Sequence, residues 1–149
     1  MTRWRIRPAQ LEDAEVLCAL EAASFGPASW GANAVAEGVS APYVSALIAS
    51  LNDEKRECGF VFWRRLGDEA EILSIGVAPQ WRQLGCGDAL LRSVINEGRK
   101  SGCVRLFLEV DPRNHAAHAL YRNCGFEQIS RRLNYYKDRG DALVMRLEL

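Results

Sequence analysis

Hydrophobic and polar residues recur along the chain with the periods of strands and helices. Strand-like runs occupy residues 4–7, 42–50, 59–63, 70–77, 104–110, 126–132 and 142–149. Helical spacing begins near Leu11, returns over 89–102, and returns again between Asn114 and Gly125. The segment 24–41 mixes both signals and predicts a loop with a short helix.

The order of these elements predicts the fold class. One strand and two helices precede a run of three strands, in which Gly67-Asp68 marks a hairpin turn. A strand, a helix and two final strands follow the next helix. An antiparallel run followed by β-α-β is typical of a mixed sheet. We expect an α/β (α+β) fold: a mixed, mostly antiparallel, twisted sheet with helices on both faces.

Composition narrows the class of protein. The chain has 149 residues, 48% hydrophobic and 26% charged, so we expect one domain over residues 1–149. Basic and acidic residues number 19 each, and the resulting zero net charge argues against direct nucleic-acid binding. No apolar run approaches the roughly 18 residues of a membrane span. The five cysteines form no C-x-x-C pair, which indicates reduced thiols and a cytoplasmic protein.

The segment 77–91 contains the first candidate site. A strand ends at Val77, a loop with Gly85 and Gly87 follows, and a helix begins. Glycines allow close backbone approach to a ligand, and amides at a helix start favour an anion such as a pyrophosphate. Arg82 could add a charge-assisted bond to phosphate. The alternative is an ordinary turn, since the dinucleotide and P-loop fingerprints are both incomplete.

Glu109 is the second candidate. In the strand 104–110, Leu106 and Leu108 share one face and Glu109 lies on the other. Ligands of α/β sheets gather at the carboxyl ends of strands, which favours a placed carboxylate over a solvated one. The two interpretations are otherwise evenly matched.

Tyr121 lies on one helical face with Ala117 and Leu120, a pattern that suits a core aromatic as well as a catalytic one. His115 and His118 have no third ligand at metal-site spacing, so no metal is expected. Three cysteines are conceivable nucleophiles without an activating partner: Cys86, Cys103 and Cys124.

Taken together, these segments resemble the GNAT family of acetyl-CoA-dependent N-acetyltransferases, whose Arg/Gln-x-x-Gly-x-Gly/Ala signature is matched by Arg82, Gly85 and Gly87. The resemblance implies acetyl-CoA as co-substrate and no metal. It implies cofactor contacts from the strand, the loop and the next helix: Ile75, Gly76, Val77, Arg82, Gln83, Leu84, Gly85, Cys86, Gly87, Asp88 and Asn114.

The second half of the chain resembles the RimI type within that family, through Leu108-Glu109-Val110, Asn114, Tyr121 and Asn134-Tyr135-Tyr136. This implies Glu109 as general base, Tyr121 as general acid, and direct transfer to the N-terminal alanine of a small-subunit ribosomal protein.

Two departures from the family pattern concern charge. Asp111 stands where the family often has arginine, with the cation two positions later at Arg113. Asp88 adds an anion beside the pyrophosphate loop, which should weaken cofactor binding.

An acceptor peptide needs an amphipathic rim, and Trp30, Tyr135 and Tyr136 are the candidate substrate-binding residues. Three other functions stay open. The first is a GNAT enzyme for a small-molecule amine or a lysine side chain, and the second a non-catalytic acetyl-CoA-binding module. The third is an RNA-associated domain built on Arg131, Arg132 and the two tyrosines, which the net charge disfavours.

Overall fold

The protein is described from a computed structural model that covers residues 3–51, 56–136 and 138–149. The described strands are β1 (Trp4–Pro8), β2 (Val44–Leu51), β3 (Glu57–Leu66), β4 (Glu69–Val77), β5 (Arg105–Val110), β6 (Glu127–Arg132) and β7 (Ala142–Glu148). The described α-helices are α1 (Ala14–Phe25), α2 (Ala32–Ser40), α3 (Cys86–Lys100) and α4 (His115–Asn123). Short 3₁₀ turns occupy Leu11–Asp13, Gly26–Ala28 and Pro79–Trp81.

The strands form one seven-stranded sheet in the order β1-β2-β3-β4-β5-β7-β6. Among the described strands, β4 and β5 pair in parallel and every other neighbouring pair is antiparallel. The predicted mixed, mostly antiparallel sheet is confirmed. Helix α3 provides the crossover that a parallel connection requires.

Each face of the sheet has its own apolar core, as the predicted helices on both faces require. On one face, α1 and α2 cover a cluster that includes Ile48, Phe60 and Phe62. On the other face, residues of α3 and α4 pack with Val61 and Leu108 of the sheet. The alternation predicted for β5 is confirmed, because Leu108 is buried in this second core while Glu109 faces the α1–α2 side.

Several element boundaries differ from those predicted, most visibly at the starts of α1, β2 and α3. The first α-helix begins at Ala14 because a 3₁₀ turn precedes it, which leaves Leu11 67% exposed. Strand β2 begins at Val44, since Tyr43 adopts a left-handed φ of 67° that a strand does not allow. Helix α3 begins at Cys86, ahead of the apolar positions from which the prediction was made.

An opening in the sheet lies between β4 and β5 and positions the site. The two strands pair only from Glu69 and Arg105 to Glu71 and Phe107, and then separate. Leu73 has no partner on β3, since Phe62 pairs with Ser74 and the next residue pairs with Ile72. Such a bulge bends a strand. The carboxyl ends of β4 and β5 therefore leave a cleft between them.

Candidate active site

The cleft at this opening has a volume of about 450 Å³. Its walls come from the ends of α1 and β4, the loop after β4, and the first turns of α3 and α4. The lining residues are Ser24, Phe25, Ile75, Gly76, Val77, Trp81, Arg82, Gln83, Gly85, Cys86, Gly87, Asp88, Asn114, Ala116, Ala117, Leu120 and Tyr121. Ten of the eleven predicted cofactor residues thus meet in one place, and Leu84 is the exception.

The edge of β4 offers backbone hydrogen-bonding groups to this cleft. Ala78 donates its amide to Cys58 on β3, and bonding residues alternate along an antiparallel strand. The N–H and C=O of Val77 therefore point away from β3. The Val77 carbonyl accepts from the Arg82 Nε at 3.0 Å, which agrees with that direction. The Val77 amide is directed into the cleft, where a ligand can accept from it.

The start of α3 supplies a second set of amides. Gly85 takes a left-handed φ of 89° as the N-cap, and its carbonyl accepts the helical hydrogen bond from Ala89 at 3.0 Å. The backbone amides of Cys86, Gly87 and Asp88 lie in the first turn of α3. Amides in this position have no hydrogen-bond partner within an α-helix. Together with the helix dipole they favour an anion. Gln83 also adopts a positive φ of 62°, which turns the loop toward this helix start.

Two charged residues of the cleft wall, Arg82 of the loop and Asp88 of α3, have partners within the protein. The Arg82 guanidinium donates to the backbone carbonyls of Val77 and, at 2.9 Å, of Ser24. It therefore ties the end of α1 to the end of β4, and its predicted contact with phosphate stays a prediction. Asp88 pairs with Arg92 at 2.9 Å, one turn along α3. This ion pair offsets the added anion.

Leu84 stands outside the cleft because its carbonyl accepts from the Trp4 indole at 3.2 Å. This contact fixes the loop to β1. Asn114 confirms its predicted N-cap role, since its side chain accepts from the Ala117 amide at 3.2 Å.

Glu109 belongs to a charged and aromatic cluster beside the cleft rather than in its wall. Its Oε1 lies 3.1 Å from Nη1 of Arg132. The Tyr135 hydroxyl is hydrogen-bonded to the Glu109 carboxylate, which raises the pKa of Tyr135. The Arg132 guanidinium also lies over the Tyr135 ring, 5.4 Å from its centroid. Sequence analysis singled out each of these residues but not their association.

Tyr121 lines the cleft from α4 and packs edge-to-face on Phe126, with ring centroids 5.9 Å apart. Burial raises the pKa of its hydroxyl, and the nearby Tyr136 adds to the shift. Burial and the charges of Asp111 and Glu109 likewise raise the pKa of Tyr136 to about 12. Tyr136 is thus close enough to both Tyr121 and Glu109 to interact with them electrostatically.

Arg113 holds the loop that carries Tyr135 and Tyr136. Its guanidinium contacts Asp111 at 2.6 Å and Asp138 at 2.9 Å, and so joins the turn after β5 to the β6–β7 loop. The cation that stands two positions later than in the family pattern therefore holds the β6–β7 loop in place.

Trp30 lies apart from this cluster. Its ring packs on Phe62 at 5.3 Å between centroids, on the α1–α2 side of the sheet. Phe62 contacts Phe60 at 5.9 Å, and Phe60 contacts Phe25 in the cleft wall at 6.3 Å. An aromatic row therefore runs from the cleft to Trp30. Glu109 faces the same side of the sheet from across the β4–β5 opening.

Several cleft residues were not among the predicted site residues. Ser24 and Phe25 end α1, and Trp81 belongs to the 3₁₀ turn after β4. Leu120 shares the helical face of Tyr121, which was the one available hint. A second cavity, of about 470 Å³, lies between α4 and β6 around Met145 and contains none of the predicted site residues.

The cysteines offer no activated nucleophile in the cleft. Cys86 is buried beneath it, and burial raises the pKa of this thiol to about 12. Within the described ranges, no group of three or more His, Cys, Asp or Glu residues could hold a metal ion. In the same ranges, no helix is long and apolar enough to cross a membrane.

Comparison with known proteins identifies the family to which a chain with this site belongs. The model of the acetyltransferase (GNAT) family matches residues 17–126. The chain belongs to the GNAT family. A curated relative from Bacillus subtilis (strain 168) is 31% identical over 145 residues, 97% of this chain and 95% of its own length. The ribosomal protein bS18-alanine N-acetyltransferase of Escherichia coli (strain K12) is 37% identical over 102 residues, covering 66% of this chain and 69% of that protein.

The fold agrees with the sequence comparison. The crystal structure of the ribosomal-protein-S18-alanine N-acetyltransferase from Escherichia coli superposes with a TM-score of 0.89 at 30% identity, covering 97% of this chain and 93% of that one. The predicted resemblance to the GNAT family and to its ribosomal-protein-alanine branch is confirmed. This acetyltransferase takes acetyl-CoA as its acetyl donor and an amine as acceptor. The unpaired β4 edge and the α3 amides are suited to that donor.

Acetyl-CoA is expected to raise the Tm of the protein, because it binds the folded cleft. At about 100 times its Kd it should stabilise by about 2.7 kcal/mol, or about 5–10 °C for a chain of this length. Gly87→Val should abolish the shift, since an added Cβ lies 3.2 Å from Leu120 and 3.9 Å from Val77, across the cleft. Gly85→Val should do the same. Differential scanning fluorimetry measures both.

Gly67→Val is the matched control for Gly85→Val. Both glycines have positive φ, 64° and 89°, so both substitutions strain the backbone to a similar degree. Only Gly85 lines the cleft. An acetyl-CoA shift that survives in Gly85→Val and Gly87→Val would remove the loop from the binding site.

Proposed function

We propose that this enzyme transfers acetyl from acetyl-CoA to the N-terminal α-amine of a protein, by direct transfer. The observation that carries the proposal is the carboxylate of Glu109, set beside a cleft that contains Tyr121 and the α3 amides. In this proposal a base, an acid and an anion site share one opening in the sheet. The acceptor we favour begins with alanine and belongs to the small ribosomal subunit.

Glu109 is the proposed general base. An α-ammonium group has a pKa of about 7.7–8.0, whereas a lysine ammonium has a pKa of about 10.4. A carboxylate therefore suffices to take the proton from an α-amine, directly or through water. A lysine acceptor would require a stronger base or a further shift in its own pKa.

The Val77 amide and Tyr121 complete the proposed mechanism on the donor side. The Val77 N–H donates to the carbonyl oxygen as negative charge develops there. The Tyr121 hydroxyl donates its proton toward the departing sulfur. No acyl-enzyme is needed, and the buried Cys86 thiol has no activating partner among the described residues.

Two lines of support favour a protein N-terminus. The relative from Escherichia coli is named for acetylation of alanine on ribosomal protein bS18. In addition, the Tyr135 and Trp30 side chains are exposed to 46% and 39%, and we propose that both contribute to a rim that an extended peptide contacts. Exposed aromatic rings with polar edges suit a polypeptide better than a small amine.

The acceptor is tested with peptides that differ at one end. A peptide beginning with alanine should release CoA, and the same peptide with a blocked α-amine and an internal lysine should release none. Thiol detection of free CoA measures both. Preferred turnover of the blocked lysine peptide, or of a polyamine, would favour the alternative acceptors and end the α-amine proposal.

The rim is tested with Tyr135→Ala and Tyr136→Ala. Each should raise the peptide KM by about three- to tenfold, for a ring contact of about 0.5–1.5 kcal/mol. The acetyl-CoA KM should change less. Tyr43→Ala removes a 78% exposed tyrosine from the turn before β2 and is the control. Equal changes in both KM values would place the two tyrosines outside the acceptor site.

Three further expectations stay predictions: a single domain over residues 1–149, a cytoplasmic location, and no direct binding to nucleic acid. Zero net charge supports the last. Turnover by the wild-type protein would also separate the enzyme from a non-catalytic acetyl-CoA-binding module.

A further inference from the structure

Glu21 is a buried acidic residue that the proposed mechanism does not use. It lies on α1 with none of its surface exposed. Its Oε2 accepts a hydrogen bond from the backbone amide of Trp30 at 2.7 Å. Its Oε1 is buried and has no hydrogen-bond partner within residues 3–51, 56–136 and 138–149.

The Glu21–Trp30 hydrogen bond holds the segment between α1 and α2. Between α1 and α2 the chain turns through Gly26 and Gly31, both with positive φ. Trp30 lies near the end of this segment, held by Glu21 through its backbone and by Phe62 through its ring. The segment has little other anchorage, because its residues are largely exposed. Glu21 thus fixes the backbone from which the indole ring projects.

Stability alone does not account for a carboxyl group at this position. A buried polar atom without a partner costs about 1–3 kcal/mol, and an apolar side chain of similar shape avoids that cost. Methionine at this position would remove the unpartnered Oε1 but would also leave the Trp30 amide without its acceptor, so the two costs are of similar size. The Glu21 carboxyl group therefore brings little net gain in stability.

We propose that Glu21 is a positioning residue for the acceptor side, which it serves by holding Trp30 in place at the rim. The proposal rests on the proposed function, in which Trp30 contacts the peptide. Glu21 itself touches neither substrate, since its side chain is fully buried. Preorganisation of this kind lowers the cost of ordering the rim when the peptide binds.

Glu21→Met removes the acceptor of the Trp30 amide, and Glu21→Gln retains one. We expect Glu21→Met to raise the KM for an alanine-initiated peptide by about tenfold, the effect of one buried hydrogen bond. The acetyl-CoA KM should stay within about twofold, and the Tm should change little, because the lost hydrogen bond is offset by removal of the unpartnered Oε1. Glu21→Gln should restore the peptide KM. Glu15→Met, an exposed position on the same helix, is the control.

Trp30→Ala separates this inference from the proposed function. If Trp30→Ala raises the peptide KM and Glu21→Met does not, the positioning role is wrong. If Trp30→Ala leaves the peptide KM unchanged, Trp30 is not part of the rim and the positioning role of Glu21 is wrong. Turnover of the peptide by the wild-type protein still tests the α-amine proposal in that case. In the Trp30→Ala background, Glu21→Met should add little to the peptide KM.

Amide hydrogen exchange of the wild-type protein provides a test that needs no substitution. The Trp30 amide should be protected relative to its neighbours in the α1–α2 segment. Exchange at the rate of an open loop would overturn the proposal, as would a Glu21→Met variant with a lower Tm and an unchanged peptide KM.

Discussion

Glu109→Gln should lower kcat by about 10²–10⁴-fold, the usual contribution of one general acid–base group. The substitution keeps the size of the side chain and a hydrogen-bond acceptor for Arg132, but it removes the proton acceptor. Binding of acetyl-CoA should survive, because Glu109 does not line the cleft. Steady-state kinetics with the alanine-initiated peptide, paired with the acetyl-CoA thermal shift, measures both effects.

Glu71→Gln is the matched control for this prediction. Glu71 is also a strand glutamate paired with an arginine, Arg64, at 3.3 Å. Exposed ion pairs of this kind contribute at most about 1 kcal/mol to stability, so neither variant should unfold. A Glu109→Gln enzyme with near-normal kcat would reduce Glu109 to the ion-pair partner of Arg132.

The features that sequence predicts well here are those with a local cause. The alternation over β5 depends on a two-residue period, so Leu106 and Leu108 are buried and Glu109 faces the opposite side. Gly85 and Asn114 were recognised because helix starts have specific backbone and capping requirements. Both signals lie within a few residues of the structure that they determine.

The cleft itself could not be predicted, because its causes are not local. It exists because β4 and β5 pair over three residues only and because Leu73 bulges on the β3 side. Both depend on registers between strands that are distant in the sequence. The bond from Arg82 to the Ser24 carbonyl joins residues 58 positions apart, and it ties α1 to β4 in a way that the sequence did not predict.

Charge pairing in the site shows the same limit. The sequence placed Arg132 in a basic patch that could have contacted RNA, but its guanidinium is paired with Glu109 at 3.1 Å. Asp88 was expected to weaken cofactor binding, yet Arg92 one turn later neutralises it. The composition gives the number of charged residues, whereas only the fold shows which of them form ion pairs.

The expected pH dependence of the reaction depends on two groups: the Tyr121 hydroxyl and the acceptor α-amine. Burial holds the pKa of this phenol above its usual value of 10.0. The hydroxyl therefore stays protonated while the acceptor α-amine titrates at about 7.7–8.0. We expect kcat/KM for the peptide to rise with pH through that range and then reach a plateau. A fall in rate below about pH 10 would show that Tyr121 titrates earlier than its burial implies.

Tyr121→Phe should lower kcat by about 10²–10⁴-fold, because it removes the proton donor to the departing sulfur and keeps the ring. The ring of the variant can still pack on Phe126, so the Tm and the acetyl-CoA shift should be retained. Tyr43→Phe, at an exposed position, should leave kcat unchanged. A donor that assists thiolate departure matters more when the leaving group is poorer. An acetyl thioester of a thiol with a higher pKa than CoA should therefore increase the ratio of the wild-type to the Tyr121→Phe single-turnover rate. A ratio that does not depend on the thiol would leave Tyr121 as a core aromatic.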